Sequence, residues 1–400
     1  MTALPSLLER FGRGRALRKV VFVSYGAFDC NSAGHIAGFA GELARQGFAV
    51  AVCGRDRILN VHAFGPAPFE FFTVQDLSND PKGVIGFDGR FEPEHTAMVC
   101  WTPRKVARQA VAKIARKHDV PYIVHLEDNE DHLTHLRLGA VGEEAEAKDW
   151  AERVALLDQA MGVSVIESRL RDTLPTHLPS VVLEPGVDAA LFGAPLPPHR
   201  RASILRLAGA SAEATIIVYP GNIHRANLTE MVELYLAIAQ LRAQGRQVVL
   251  IKTGQDDVSA AEALGFDPRN HGVVNLGQVE RPFLVELLKC ADLFVQPGAP
   301  GPFNDFRLPS KLPEFMAVGR PVILPKTNVG LRLRHGVDAL LLERGDAEEI
   351  MGLIEAVTAD PSLAARLGHN AQAFARRTYR WDRQGHILSE FLTRVHRSRK

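Results

Sequence analysis

Two cations four positions apart, Arg307 and Lys311, stand immediately ahead of an apolar helical stretch that opens at Leu312. Positive side chains beside the free N–H groups of a helix start suit a multiply charged anion. A plainer reading of the same segment is a surface helix capped by Ser310, and the segment alone does not choose between them. Lys252 closes the apolar run 248–251, with Thr253-Gly254 behind it, and Arg225 stands in the loop His224-Arg225-Ala226-Asn227. Ends of such runs are where parallel sheets bind ligands. His125 closes another run and precedes Glu127-Asp128-Asn129-Glu130, although a lone histidine among fifteen is more often structural.

Any anion must be bound locally, because 47 Lys and Arg against 46 Asp and Glu leave a formal net charge of +1. That balance excludes long-range attraction to nucleic acid. The cysteines at 30, 53, 100 and 290 lack CxxC or zinc-ligand spacing, so buried thiols in a reducing cytoplasm are expected rather than a metal site or disulfides. No apolar run reaches membrane-spanning length and no secretory leader opens the chain, which makes the cytoplasm the default location. Mixed apolar and basic ends, Leu7 to Lys19 and Arg394 to Lys400, could rest weakly on anionic lipid. Solvated basic ends are the favoured reading.

The elements that must position these residues follow from the apolar pattern. Lys19-Val20-Val21-Phe22-Val23-Ser24 reads as a strand buried on both faces, followed by a loop over 26–34 and a helix over 36–46. Strands over 49–53, 97–101, 122–125, 163–165 and 181–183 continue the alternation, with a helix over 105–118. Pro185, Pro195, Pro197 and Pro198 mark a linker. Alternation restarts at 215–219 with a helix over 228–244 and strands over 247–251, 272–276, 293–295, 321–324 and 339–342. Regular strand and helix alternation predicts parallel sheets covered on both faces.

An ordered series of motifs in the second half resembles the donor domain of the group 1 (family 4) retaining glycosyltransferases. It runs Glu184-Pro185-Gly186-Val187-Asp188 with Phe192, Tyr219-Pro220-Gly221-Asn222, and Leu276-Gly277-Gln278-Val279. Ala291-Asp292, Val295-Gln296-Pro297 and Pro309-Ser310-Lys311-Leu312-Pro313-Glu314 through Gly319-Arg320-Pro321 follow, then Gly336-Val337-Asp338 and Tyr379-Arg380-Trp381. The resemblance implies an α/β fold of GT-B type, two Rossmann-like domains facing across a cleft. The expected divisions are an acceptor-side domain over 1–190, a donor domain over 199–378, and a C-terminal helix over 379–400 packing back toward the first domain.

It further implies transfer of a sugar from a nucleotide-diphosphate donor to a glycan, lipid-linked or small-molecule acceptor, with retention and without a bound metal or other cofactor. Departure of a diphosphate needs cationic stabilisation, for which Arg307, Lys311 and Arg225 are candidates. Glu314 matches the family's second motif glutamate, a two-oxygen acceptor for ribose hydroxyls, with Gly221, Asn222, Lys252, Gly277, Val279, Leu308 and Ser310 lining the donor. His125 and Asp305 are placed near the sugar. Gly34 and Asn31 are assigned to a loop meeting phosphate or acceptor. Two positions depart from the family: Phe306 replaces the first motif glutamate and Asn222 the usual arginine. They keep open a GT-B protein that binds nucleotide sugar or glycan without transferring it. A two-domain oxidoreductase is a weaker alternative, since no GxGxxG is present.

Overall fold

The computed structural model describes residues 16–28, 31–56, 68–130 and 143–398. Within them lie two parallel sheets wound in the same order. The first comprises β1 (Lys19–Ser24), β2 (Ala49–Gly54), β3 (Glu70–Thr73), β4 (Thr96–Trp101), β5 (Tyr122–Leu126), β6 (Val163–Val165) and β7 (Ser180–Val182), ordered β3-β2-β1-β4-β5-β6-β7. The second half contributes β8 (Thr215–Pro220), β9 (Val248–Thr253), β10 (Val273–Asn275), β11 (Phe294–Val295), β12 (Val322–Pro325) and β13 (Leu340–Leu342), as β10-β9-β8 and β11-β12-β13. A parallel bridge between Ile217 and Leu293, with Asp292 N donating to Ile216 O at 2.8 Å, joins these two groups along β8.

Both halves are therefore Rossmann-like and face each other across a cleft. In each, strand order reverses beside the first strand, and ligands of such sheets bind outside the carboxyl ends at that reversal. Here the reversals lie beyond Ser24 and Trp101 in one half and beyond Pro220 and Val295 in the other. Every residue of β1, β4 and β5 is buried, as continuous Val, Ile and aromatic runs covered on both faces require. Lys19 is the charged exception in β1. Its ammonium donates to Ile85 O and Arg90 O, both at 2.8 Å, and pairs with Asp88.

The last helix, Trp381–Arg397, packs on the helix Asn31–Arg45 of the first half. Trp381 meets Phe39 edge-on at 5.4 Å. A Cβ on Gly38 or on Gly186 would stand 2.3 or 2.4 Å from the indole, so both glycines are needed to form its slot. Val187 N donates to Tyr379 O at 3.0 Å, which ties the 184–188 motif to the 379–381 motif.

The first helix begins at Asn31 rather than 36, which places Gly34 inside its first turn and not in a loop. The proline-rich linker is also more ordered than its composition suggests. Asp188 caps a helix Ala189–Gly193 by accepting from Ala190 N and Leu191 N, and Pro198 opens the helix Pro198–Leu207. Cys53, Cys100 and Cys290 are buried free thiols, and burial pushes the Cys100 thiol up to about 12. Cys30 and the basic residues of 1–15 lie outside the described residues. Among those described, no helix is long and apolar enough to cross a membrane.

Candidate functional site

At the carboxyl end of β8 the chain turns through Gly221 with φ of +143°, a conformation open to glycine at little cost. A Cβ there would stand 3.1 Å from the Lys311 ammonium. Lys311 Nζ donates to Tyr219 Oη at 3.0 Å and sits 4.1 Å from that ring's centroid. A phenol, rather than a carboxylate, thus accepts its hydrogen bond, while the Glu230 carboxylate lies close enough to feel its charge. Arg225 is exposed in the following loop and has no hydrogen-bond or ion-pair partner among the described residues.

Arg307 is brought to the same corner but is already engaged. Its Nε donates to Asn304 Oδ1 at 3.0 Å, its Nη2 to Glu230 Oε2 at 3.1 Å, and its guanidinium stacks 3.8 Å from the Phe303 centroid. Asn304 Nδ2 donates to Glu230 Oε1 at 2.6 Å and to Ala299 O at 2.9 Å. Asn328 fixes this loop from beneath, its Nδ2 donating to Asn304 O (2.8 Å) and Arg307 O (2.7 Å) from a backbone with φ of +40°. Such left-handed backbone is uncommon outside glycine and least costly for Asn and Asp. Glu314 lies in the first turn of the helix Leu312–Val318 and accepts from the Arg281 guanidinium.

Several expected roles change. The N-cap of that helix is Lys311, in a helical conformation without a side-chain cap bond, and not Ser310. The reason is a turn closed by Leu312 N donating to Pro309 O at 3.0 Å, which puts Ser310 one residue too early. Lys252 is fully buried and paired with Asp256, and it donates to Gly254 O at 3.2 Å, so it braces a strand end. Asn222 Oδ1 accepts from Gln255 N at 2.9 Å and holds two loops together. Leu308 is core, Val279 packs against the core, and Gly277 serves a turn with φ of +64° while its carbonyl accepts from Gly254 N at 2.7 Å. Phe306 packs its ring against the hydrophobic core. Asp305 accepts from Gly301 N at 3.1 Å and from Thr327 Oγ1, and pairs across the cleft with Arg169 of the first domain at 2.9 Å.

Across the cleft, the polar centre of the first domain is Glu127, beyond β5. Its carboxylate accepts from Ser32 Oγ and from Thr102 Oγ1 (3.0 Å) and meets His35 Nδ1 at 2.8 Å. Burial opposes its charge, but His35 and Ser32 hold the carboxyl far below the ordinary range. Thr102 supplies its hydroxyl from a backbone with φ of +59°. A β-branched residue in that region is strained, and such strain concentrates at functional sites. Withdrawal from water, with Glu130 and Glu127 close by, pushes the Asp128 carboxyl up to about 6, while Arg104 and Arg307 pull it down. Arg104 pairs with Glu130 at 3.2 Å and stacks 4.1 Å from the Tyr25 centroid.

His125 lies close enough to this cluster for its charge to couple with Glu127 and His35, but it makes no hydrogen bond to it. It is 1% exposed, stacks on Trp101 at 3.8 Å and bonds Ser164 Oγ through Nδ1 at 2.9 Å. Burial, first of all, pushes its pKa down to about 3, so it stays neutral behind the sheet edge. His35 stands at the cleft instead. Asn31 opens the first helix, and its side chain lies outside the described residues. Among the described residues, no group of three or more His, Cys, Asp and Glu is placed to hold a metal.

The fold and the two facing reversals define a GT-B pair of Rossmann-like domains. Residues 214–360 match the family described as Glycosyl transferases group 1, and the chain resembles that family as its motifs imply. The same fold occurs in Alr3699/HepE of Anabaena, solved with UDP and glucose, at 18% identity over 94% of this chain and 100% of that one (TM-score 0.70). Sucrose-phosphate synthase of Thermosynechococcus elongatus matches at 15% identity over 94% and 99% (TM-score 0.69). A glycosyltransferase of Rickettsia africae matches at 11% over 95% and 98% (TM-score 0.67). In sequence, no curated protein matches the chain.

Proposed function

We propose that the protein is a glycosyltransferase whose second domain holds a nucleotide-diphosphate sugar and whose first domain presents a glycan, lipid-linked or small-molecule acceptor. The observation that carries this reading is the Lys311 ammonium, held by a phenol beside Gly221 at the strand-order reversal of the matched segment. Lys311, Arg307 and Arg225 stabilise the diphosphate as the bond from the sugar carbon to its phosphate oxygen breaks. Glu314 accepts from the ribose hydroxyls once Arg281 yields it. Attack comes from the face of the leaving group, with retention, and the acceptor proton passes to the departing phosphate. The reaction needs no metal or other cofactor, and it takes place in the cytoplasm. UDP, bound by the Anabaena relative, is the nucleotide to try first.

Product-detected turnover over a panel of nucleotide sugars tests the assignment. Lys311→Ala and Glu314→Ala should each lower it about a hundredfold, or about 2.7 kcal/mol. Full activity in both variants would remove the site. One observation favours a second reading, a protein that binds nucleotide sugar without transferring it. Phe306 packs on the core where the family resemblance implies a glutamate, and neither Asn304 nor Asp305 is free to replace it. Nucleotide binding without turnover across many donor and acceptor pairs would select that reading.

A further inference from the structure

Glu230 occupies a place in the donor corner that neither motif nor fold assigns. It lies in the first turn of the helix Leu228–Ala243, directly after the β8 turn. Its side chain is 13% exposed, and both carboxylate oxygens are taken: Oε1 by Asn304 Nδ2 at 2.6 Å and Oε2 by Arg307 Nη2 at 3.1 Å. The backbone makes room for it, because a Cβ on Gly298, where φ is +131°, would stand 2.8 Å from Oε1. The charged groups facing Glu230 are Arg307 and Lys311, the two cations of the Arg307–Lys311 loop. A carboxylate buried between two phosphate-binding cations is a stand-in for the anion those cations serve.

We propose that Glu230 is the resident counter-charge of the diphosphate subsite, displaced from Arg307 and protonated when the donor's diphosphate binds. This rests on the donor reading above. Arg307 Nη2 passes from the Glu230 carboxylate to a phosphate oxygen, and a proton from solvent neutralises the released carboxylate beside the incoming negative charge. No covalent bond is made or broken apart from that O–H. Burial already lifts the Glu230 carboxyl above its ordinary range despite Arg307 and Lys311, so losing the Arg307 contact lifts it further. Glu230 is thereby a positioning residue. It keeps Arg307 and Asn304 in place in the empty site and makes donor affinity fall as pH rises.

The test is calorimetry of UDP binding to the full chain at pH 7 to 8 in buffers of different ionisation enthalpy. Comparison with Glu230→Gln, the neutral mimic, cancels the titration of the UDP terminal phosphate. The wild type should take up between about 0.3 and 1 proton more than Glu230→Gln, and the variant should bind UDP about tenfold tighter at pH 8, with a flatter pH dependence. Should the amide variant fold poorly in thermal unfolding, Glu230→Ala must show the same loss of proton uptake. Equal proton numbers in wild type and variant, with UDP bound, would overturn this inference alone. No heat with UDP, ADP or GDP would overturn the donor reading and this inference with it.

Discussion

The two strand-order reversals that face each other across the cleft carry opposite charge. On the first-domain side, Asp128 and Glu130 pair with one arginine, Arg104, and Glu127 lies beside them. On the second-domain side, Arg307 and Lys311 face the Glu230 carboxylate, and Arg225 stands exposed in the loop after β8. Under the proposed function, one edge suits an anion and the other a hydroxyl-bearing group that carboxylates can orient. The degree of closure differs too. Glu127 is buried and saturated by three side chains, whereas Lys311, among the described residues, makes one side-chain hydrogen bond, to the Tyr219 phenol. On the proposed reading, the first-domain edge is fixed before any ligand arrives, and the second-domain edge exchanges partners when one does.

Three substitutions break or sharpen that contrast. The largest effect belongs to Glu127→Ala, which leaves His35, Ser32 and Thr102 without their shared acceptor and should cost about 4 kcal/mol in denaturant unfolding. Because the folded Glu127 carboxyl titrates well below its ordinary 4.5, the stability it adds is complete above that pH and is lost as pH falls further. The wild-type advantage over Glu127→Ala should shrink accordingly in acid. An unchanged midpoint would show the cluster to be incidental. Next, Gly186→Ala drives a methyl into the Trp381 indole and should cost about 2 kcal/mol in the same assay, since the slot that ties the last helix to the first domain cannot widen.

Asp128→Asn should act in the opposite direction and more weakly. A folded carboxyl raised to about 6 destabilises the protein above that pH and is relieved below it. The amide should therefore add about 1 kcal/mol at pH 8 and nothing near pH 4, while lowering turnover if this edge orients the acceptor. Stabilisation at both pH values would show that crowding of charge is not the cause.

What the sequence made legible was whatever depends on neighbours along the chain. The Val and Ile runs of β1, β4 and β8, the helix over 105–118 and the Gly221 turn all follow from local pattern. The two-residue β11 is anchored by a bridge to β8 that no local period encodes. The candidate site was legible at Arg307, Lys311 and Glu314 for a related reason: one contiguous segment carries all three. Glu230 and Arg281 sit 77 and 33 residues from the partners they hold, so spacing offered no sign of them. Lys252 and His125 show the converse error. Each ends an apolar run, yet Asp256 claims one and the Trp101 ring covers the other. An asparagine following Thr327 was the available hint for Asn328, because Asn tolerates left-handed backbone better than most residues.

On the proposed function, the second domain binds a nucleoside diphosphate through the corner around Lys311. Thermal and denaturant unfolding of the wild type and Lys311→Ala, each with a panel of nucleoside diphosphates and their sugars, tests it most directly. A nucleotide present at about a hundred times its Kd should stabilise the wild type by about 2.7 kcal/mol and leave Lys311→Ala nearly unmoved at the same concentration. Equal stabilisation of both proteins, or of neither by any nucleotide in the panel, would contradict it.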